Sequence, residues 1–177
     1  METIRLAGPQ DAAALLALQC RLDAQSSFML LEPHERERVP DRLRDRLAAQ
    51  GAAGSFDLVA EAEGGATADA RLVGALSVEV LPFRRARHTG YLVMGVDAAA
   101  AGRGIGTALL TEAAEEAQRR GLQRLELTVM TDNLRALSLY LRSGFQVEGL
   151  RRQALVRDGA EVDEYYMGRL LHRKTAG

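Results

Sequence analysis

Two stretches of this 177-residue chain carry residue types at spacings that could do chemistry. The first is Met94-Gly-Val-Asp-Ala-Ala-Ala-Ala-Gly-Arg-Gly-Ile-Gly-Thr-Ala-Leu-Leu110, with glycines at alternate positions 102, 104 and 106. A strand-like apolar run ends at Val96, and beyond the glycines Ile105, Leu109, Ala113 and Ala117 recur at helical spacing. The first N–H groups of a helix have no intrahelical partner, and the macrodipole makes that end partly positive. Glycines remove the Cβ atoms that would hold an anion away from those N–H groups. The stretch therefore predicts a diphosphate cradle. The second stretch is a short helix bearing Asn133 and Tyr140, seven residues apart. Seven residues are about two turns, so both project from nearly the same face, roughly 10 Å apart along the axis. That spacing suits a polar contact to an extended amide arm at one end and a phenol at the other.

Three ligands compete for the cradle. A Walker loop needs a lysine after its last glycine, and here Thr107 follows Gly106. A dinucleotide fingerprint needs G-x-G-x-x-G after the first strand of a βαβ unit; the sixth position counted from Gly102 is Thr107, and the preceding strands read as a meander. Coenzyme A is the third, and the glycine spacing alone does not choose among them.

Bulk composition narrows the classes. Apolar residues are 47% and charged residues 27%, which excludes a disordered chain. The formal net charge of −1 supplies no global basic field for nucleic acid or a membrane surface. No run approaches the ~20 apolar residues of a membrane span, and Met1 to Leu6 lacks the basic-then-apolar pattern of a signal segment. These features predict a cytoplasmic protein. The lone Cys20 reads as a buried, inert thiol in an Ala/Leu-rich helix. No Cys/His spacing resembles a metal site, and His34, His88 and His172 lie far apart.

The elements that must position the two stretches follow from periodicity. Thr3 to Leu6 predicts a first strand; Asp11 is placed as N-cap of a helix to about Gln25, buried through Leu15, Leu16, Leu18 and Leu22. Phe28 to Leu31 is an apolar patch that can pack or wall a substrate site, with Glu32 at its rim. Pro40 and Asp41 open a second helix with Leu43 and Leu47 inward and Gly51 near its end. Ser55 to Glu61, Arg71 to Leu81 and Thr89 to Val96 predict a β-meander, with a flexible connection at 63–69. The cluster Arg84, Arg85 and Arg87 reads as a solvated turn, with attraction of an anionic ligand as the alternative. After the cradle helix, Gln123 to Met130 completes a βαβ unit, so its strand should run parallel to Thr89–Val96. Thr131 or Asp132 is placed as cap of the helix Asn133 to Arg142, and Gly144 at its C′ position. Phe145 to Arg157, a turn at Asp158-Gly159, and Glu161 to Leu170 read as a closing hairpin before a loose tail from His172. Residues 1–177 are read as one domain, without repeats.

With both stretches in this order, the chain resembles the GCN5-related N-acetyltransferase superfamily. The family's pyrophosphate motif, Arg/Gln-x-x-Gly-x-Gly/Ala, is matched by Ala101-Gly-Arg-Gly-Ile-Gly106 except at its first position, where Ala101 removes a polar side chain. Its second motif, Asn-x-x-Ala-x-x-Leu-Tyr-x-x-x-Gly-Phe, is matched at Asn133, Ala136, Leu139, Tyr140, Gly144 and Phe145. Phe28-Met-Leu-Leu-Glu-Pro near the start, with Glu148-Gly and Asp163-Glu-Tyr-Tyr-Met near the end, are similar to the bacterial phosphinothricin-acetyltransferase-like branch.

The resemblance implies an α/β (α+β) fold. Its sheet would be mixed and mostly antiparallel, with about seven strands, about four flanking helices and a splayed parallel strand pair. It implies acetyl transfer from acetyl-CoA directly to a primary amine of a small molecule or amino acid. Coenzyme A would be held by Met94, Gly95, Val96, Gly102, Arg103, Gly104, Ile105, Gly106, Thr107, Asn133, Ala136, Leu139, Tyr140 and Arg142, with Arg103 and the backbone replacing the anchor lost at Ala101. A backbone N–H near Met94 would meet the oxyanion, and Tyr140 would act as general acid to the departing thiolate. Relatives often carry a Glu on the third meander strand, where Gly90 stands here; Thr89 to Gly95 contains no acid. Glu79, Glu32 and His88 are the remaining candidates for a base, a water relay or an acceptor contact. An α-amine of pKa about 7.7–8.0 is substantially neutral near pH 7.5, whereas a lysine-like amine near 10.4 is not, so a missing base favours low-pKa acceptors. Acetylation of a protein N-terminus or lysine, and a non-catalytic acyl-CoA-binding module, are the alternatives. The resemblance allows a homodimer, which no stripe of residues predicts.

Overall fold

Period-two alternation of apolar residues builds one sheet, in the order β1-β2-β3-β4-β5-β7-β6 in the computed structural model, which describes residues 2–50, 54–62 and 71–171. The expected connection at 63–69, Gly51 and the tail from His172 lie outside the described residues. β1 (Thr3–Leu6), β2 (Phe56–Glu61), β3 (Leu72–Val80) and β4 (Thr89–Val96) form the antiparallel meander. β5 (Arg124–Met130) runs parallel to β4, as a right-handed crossover through a helix requires. The two share only three register positions: Thr89 with Arg124, Gly90 with Leu125 and Tyr91 with Glu126. From Leu92 to Val96, β4 keeps its ladder with β3 and has no register partner on β5. This opening in the middle of the sheet is the splay that the rest of the molecule uses.

The closing hairpin is β6 (Gln146–Arg157) and β7 (Ala160–Leu170), joined at Asp158 and Gly159, whose φ values are 52° and 77°. Two consecutive positive φ angles give the turn whose twist matches flanking strands. β7, not β6, docks antiparallel on β5, leaving β6 at the edge. The β6–β7 register jumps between Arg151 and Leu155, and Gln153 in that bulge has φ 51°.

Four α-helices cover the sheet. α3 (Ile105–Arg119) and α4 (Leu134–Arg142) lie on one face, where Leu109, Leu110, Ala113 and Tyr140 pack with Leu76, Val78, Leu92 and Leu127. α1 (Ala12–Gln25) and α2 (Pro40–Ala48) lie on the other, where Leu15, Leu18, Leu22 and Leu47 pack on Val59 and Leu72.

Three local expectations are corrected. Asp11 precedes α1, but its carboxylate accepts from the Gly8 N–H and the Arg5 guanidinium and makes no cap bond to the helix. The Arg5 hydrogen bonds outweigh burial and hold the Asp11 carboxyl below its usual range. The cap of α4 is Asn133, whose Oδ1 accepts from the Ala136 N–H at 3.2 Å; Asp132 instead pairs with Arg157, and Thr131 makes no cap. Cys20 is half-buried rather than fully enclosed.

Candidate active site

The splay has two mouths. On the α3/α4 face a cleft of about 590 Å³ is lined by the end of β4, the glycine turn, the start of α3 and one side of α4. On the α1 face a cavity of about 420 Å³ is lined by Phe28, Met29 and Leu30 after α1, by Tyr91 and Val93 of β4, by Thr128 and Met130 of β5, and by the hairpin. Both walls include Met94, Gly95, Val96, Asn133, Ala136 and Tyr140, so the two spaces meet at the open end of β4.

The cleft is a backbone device. Gly102 and Gly104 have φ of 80° and 81°, and a Cβ at either would meet nothing within 4 Å. Their requirement is conformational: the chain must pass twice through left-handed geometry before the helix starts. Gly106 is different, because a Cβ there would sit 2.9 Å from Leu139 Cδ2 and 3.4 Å from Met94 Cε. Its absence lets α3 approach α4 and β4. The first helical hydrogen bond is from the Ala108 N–H to the Gly104 carbonyl, so Ile105, Gly106 and Thr107 present N–H groups without intrahelical acceptors, and all three line the cleft. Asp97 fixes the entry to this turn. Its fully buried carboxylate accepts from the Ala99 N–H at 3.1 Å, from Arg71 and Arg21 at 3.1 and 3.2 Å, and from Gln25. Burial alone would raise its pKa, but these bonds outweigh it and hold the carboxyl at about 2.

β4 offers hydrogen-bonding groups to the splay. The Asp97 N–H donates to Val73 of β3, and by alternation along an unbroken register the N–H groups of Met94 and Val96 point the other way, into the gap. Tyr140 reaches the same place from α4, 8% exposed and edge-on to Phe145 at 5.8 Å. Burial, and secondarily the Tyr91 phenol, push the Tyr140 pKa well above its ordinary 10.0. Tyr91 Oη lies 2.9 Å from Thr128 Oγ1, tying β4 to β5 just beyond their last paired position.

Of the residues expected at the cofactor, Met94, Gly95, Val96, Gly102, Gly104, Ile105, Gly106, Thr107, Asn133, Ala136, Leu139, Tyr140 and Arg142 all line the cleft. The Arg103 side chain does not; its Nη2 is 2.6 Å from Glu2 Oε1. The cations beside the cradle are Arg135 and Arg142, the latter hydrogen-bonded to Ser138. Arg135 went unrecognised in the sequence, although a cation in a helix's first turn opposes the macrodipole and so marks another use. Two acids are also displaced from the expected site. Glu79 is exposed opposite Tyr91 and lines neither space, while Glu32 lines a separate cavity with Asp158 and Arg157. His88 is exposed with Arg84, Arg85 and Arg87 in the turn before β4. Gly90 cannot be exchanged for an acid, since a Cβ there would overlap Val78 Cγ1 and press on Leu122 and Leu125 at 3.2 Å. The carboxylate that does line the cavity on the α1 face is Glu164 of β7, which sequence reasoning missed.

Among the described residues no group of His, Cys, Asp and Glu could hold a metal ion, and no helix is long and apolar enough to cross a membrane.

Residues 20–145 match the acetyltransferase (GNAT) family. The chain is 35% identical over 103 residues to the L-amino acid N-acetyltransferase AaaT of Escherichia coli, covering 58% of this chain and 64% of that protein. It is 44% identical over 109 residues to the N-alpha-acetyltransferase RimI of Mycobacterium tuberculosis, covering 59% and 63%. These matches span less than two thirds of either relative. In three dimensions it superposes on the acetyltransferase of GNAT family from Streptococcus pneumoniae with a TM-score of 0.89 at 30% identity, over 97% of this chain and all of the other.

Proposed function

The chain belongs to the acetyltransferase (GNAT) family, and from that premise we propose that it transfers the acetyl group of acetyl-CoA directly to the primary amine of a small molecule or amino acid. The observation that carries this is the meeting of two spaces, an anion cradle on one face of the sheet and a second cavity on the other, at the open end of β4 beside Tyr140. The residues fit the cosubstrate: three free N–H groups and two arginines for a diphosphate, and a trough between β4 and α4 for an amide arm.

When bound, acetyl-CoA supplies the thioester carbonyl. The chain's part is to place a neutral amine against it from the α1 side, to hold the oxygen with N–H groups of Met94 or Val96, and to receive the sulfur at Tyr140. One C–N bond forms and the C–S bond breaks; the amine gives up a proton and the thiolate gains one. A phenol with a raised pKa is a poor proton source but an unionised hydrogen-bond donor at every physiological pH. Tyr140 is therefore assigned to stabilise the thiolate by donating a hydrogen bond, a narrower role than general acid.

The test is thiol release from acetyl-CoA with amines of several classes. Turnover with small amines supports the proposal; cofactor binding without turnover on any amine would make the protein a binding module. The likeness to RimI supports a peptide α-amine as the second acceptor class, so peptides belong in the same panel.

A further inference from the structure

The acceptor-side cavity holds one positive and one negative side chain, and they touch. Glu164 of β7 is 7% exposed and stands opposite Met130 of β5 on one side and Arg151 of β6 on the other. Arg151 donates from Nη1 to Glu164 Oε2 at 2.6 Å, with its side chain about half exposed. Every other residue lining this cavity is uncharged.

The placement is built. Leu92, Leu127 and Val129 face the α3 core, so by alternation Tyr91, Thr128 and Met130 face the α1 side, and directly opposed strand partners put Glu164 and Arg151 there too. Directly after Arg151 the bulge in β6 lets Leu155 pair with Val162, and Leu155 joins the same cavity wall. Gln153 is kept at its positive φ with its N–H on Asp163 Oδ1 at 2.7 Å, so the hairpin holds this shape with its own side chains.

We propose that Arg151 and Glu164 are the specificity-determining couple for the acceptor, and that the acceptor class they select is the free α-amino acid with an apolar side chain. This rests on the acetyl-transfer reading. A zwitterion presents an ammonium and a carboxylate a few ångströms apart, which is the complement of a touching guanidinium and carboxylate. Glu164 receives the ammonium, which gives up one proton to solvent before the neutral amine attacks, and the guanidinium nitrogens of Arg151 not bonded to Glu164 receive the carboxylate. A polyamine would leave Arg151 opposed to a second cation. A peptide N-terminus or an amine without a carboxylate would bring no anion to the remaining guanidinium nitrogens of Arg151. The side chain is left to Met29, Leu30, Val93 and Leu155, an apolar surface.

The experiment compares kcat/KM of the full chain for free leucine or methionine with that for the matching amide, a short peptide and a polyamine. The free amino acid should be preferred over its amide by roughly 10- to 100-fold, the size expected of a charge-assisted hydrogen bond. Arg151→Met should erase that preference through the acceptor's KM and leave the KM for acetyl-CoA in place, with Arg151→Lys restoring part of it. Arg151→Met strands a buried carboxylate, so the paired variant Arg151→Met with Glu164→Gln is measured beside it, with thermal unfolding as the check on folding. An unchanged amino acid to amide ratio in both variants would overturn the proposal. So would turnover of amides, peptides or polyamines without turnover of free amino acids, a result that leaves acetyl transfer intact. Absence of thiol release with every class of amine would instead remove the acetyl-transfer reading itself.

Discussion

The two sides of the splay are made of different material. The cradle is backbone: consecutive residues from Gly102 to Thr107, two left-handed glycines and a helix start. The acceptor cavity is side chains drawn from α1, β4, β5 and both strands of the hairpin, with its charges on β6 and β7. Backbone N–H groups offer the same hydrogen bonds whatever the neighbouring side chains, so such a site depends little on which side chains stand in the turn. A site built of side chains changes ligand with one substitution.

That comparison can be broken or sharpened by substitutions confined to one side. The largest effect expected is from Gly90→Glu, which puts an acid onto β4. With no room beyond Cα and a buried charge to accommodate, roughly 4 kcal/mol or more of stability should be lost in denaturant titrations. Retention of near-wild-type stability would show that β4 can host a base after all. Next is Tyr140→Phe, at the junction, which should lower kcat about 100-fold while changing acetyl-CoA affinity only a few-fold. The parent enzyme should show no loss of kcat up to about pH 10 from this group, because its pKa lies above its ordinary value; an ionisation near pH 8 assigned to Tyr140 by loss in the Phe variant would contradict the hydrogen-bond role.

Smaller is Gly104→Ala. Holding an alanine at φ 81° costs about 1–2 kcal/mol, and the KM for acetyl-CoA should rise about 10-fold with the acceptor's KM unchanged. A change confined to the acceptor's KM would erase the distinction between the two sides. The smallest effect on turnover belongs to the Asp97 network beneath the cradle, which acts on stability. Its folded pKa of about 2 lies below the ordinary 3.8, so its contribution is full above about pH 4 and is lost as pH falls toward 2. Asp97→Asn should therefore flatten the acid limb of the stability curve, read from denaturation midpoints between pH 5 and 2.

Much of the fold was legible because periodicity and turn chemistry are local. The run from Thr89 through the glycines to Met130 predicted strand, helix and parallel strand, and the structure has them at β4, α3 and β5. Asp158-Gly159 predicted the hairpin turn, and both residues have positive φ. Errors fell where a residue has several local partners to choose from. Thr131, Asp132 and Asn133 are all competent caps, and Asp132 was drawn away by Arg157, twenty-five positions on. Arg103 stands in the middle of the cradle motif, yet its side chain turns to Glu2 at the other end of the sequence.

The amino-acid sequence by itself determined the cradle and the helix bearing Asn133 and Tyr140, because each is a short run whose geometry follows from its own φ angles and period. Tertiary structure alone decided what faces them. Tyr91, Thr128, Arg151 and Glu164 come together only because β7 inserts between β5 and β6, β4 parts from β5 after three residue pairs, and β6 bulges after Arg151. A carboxylate on a strand reads as a solvated face until the strand order buries it, and for Glu164 that order is set by residues far away in the chain.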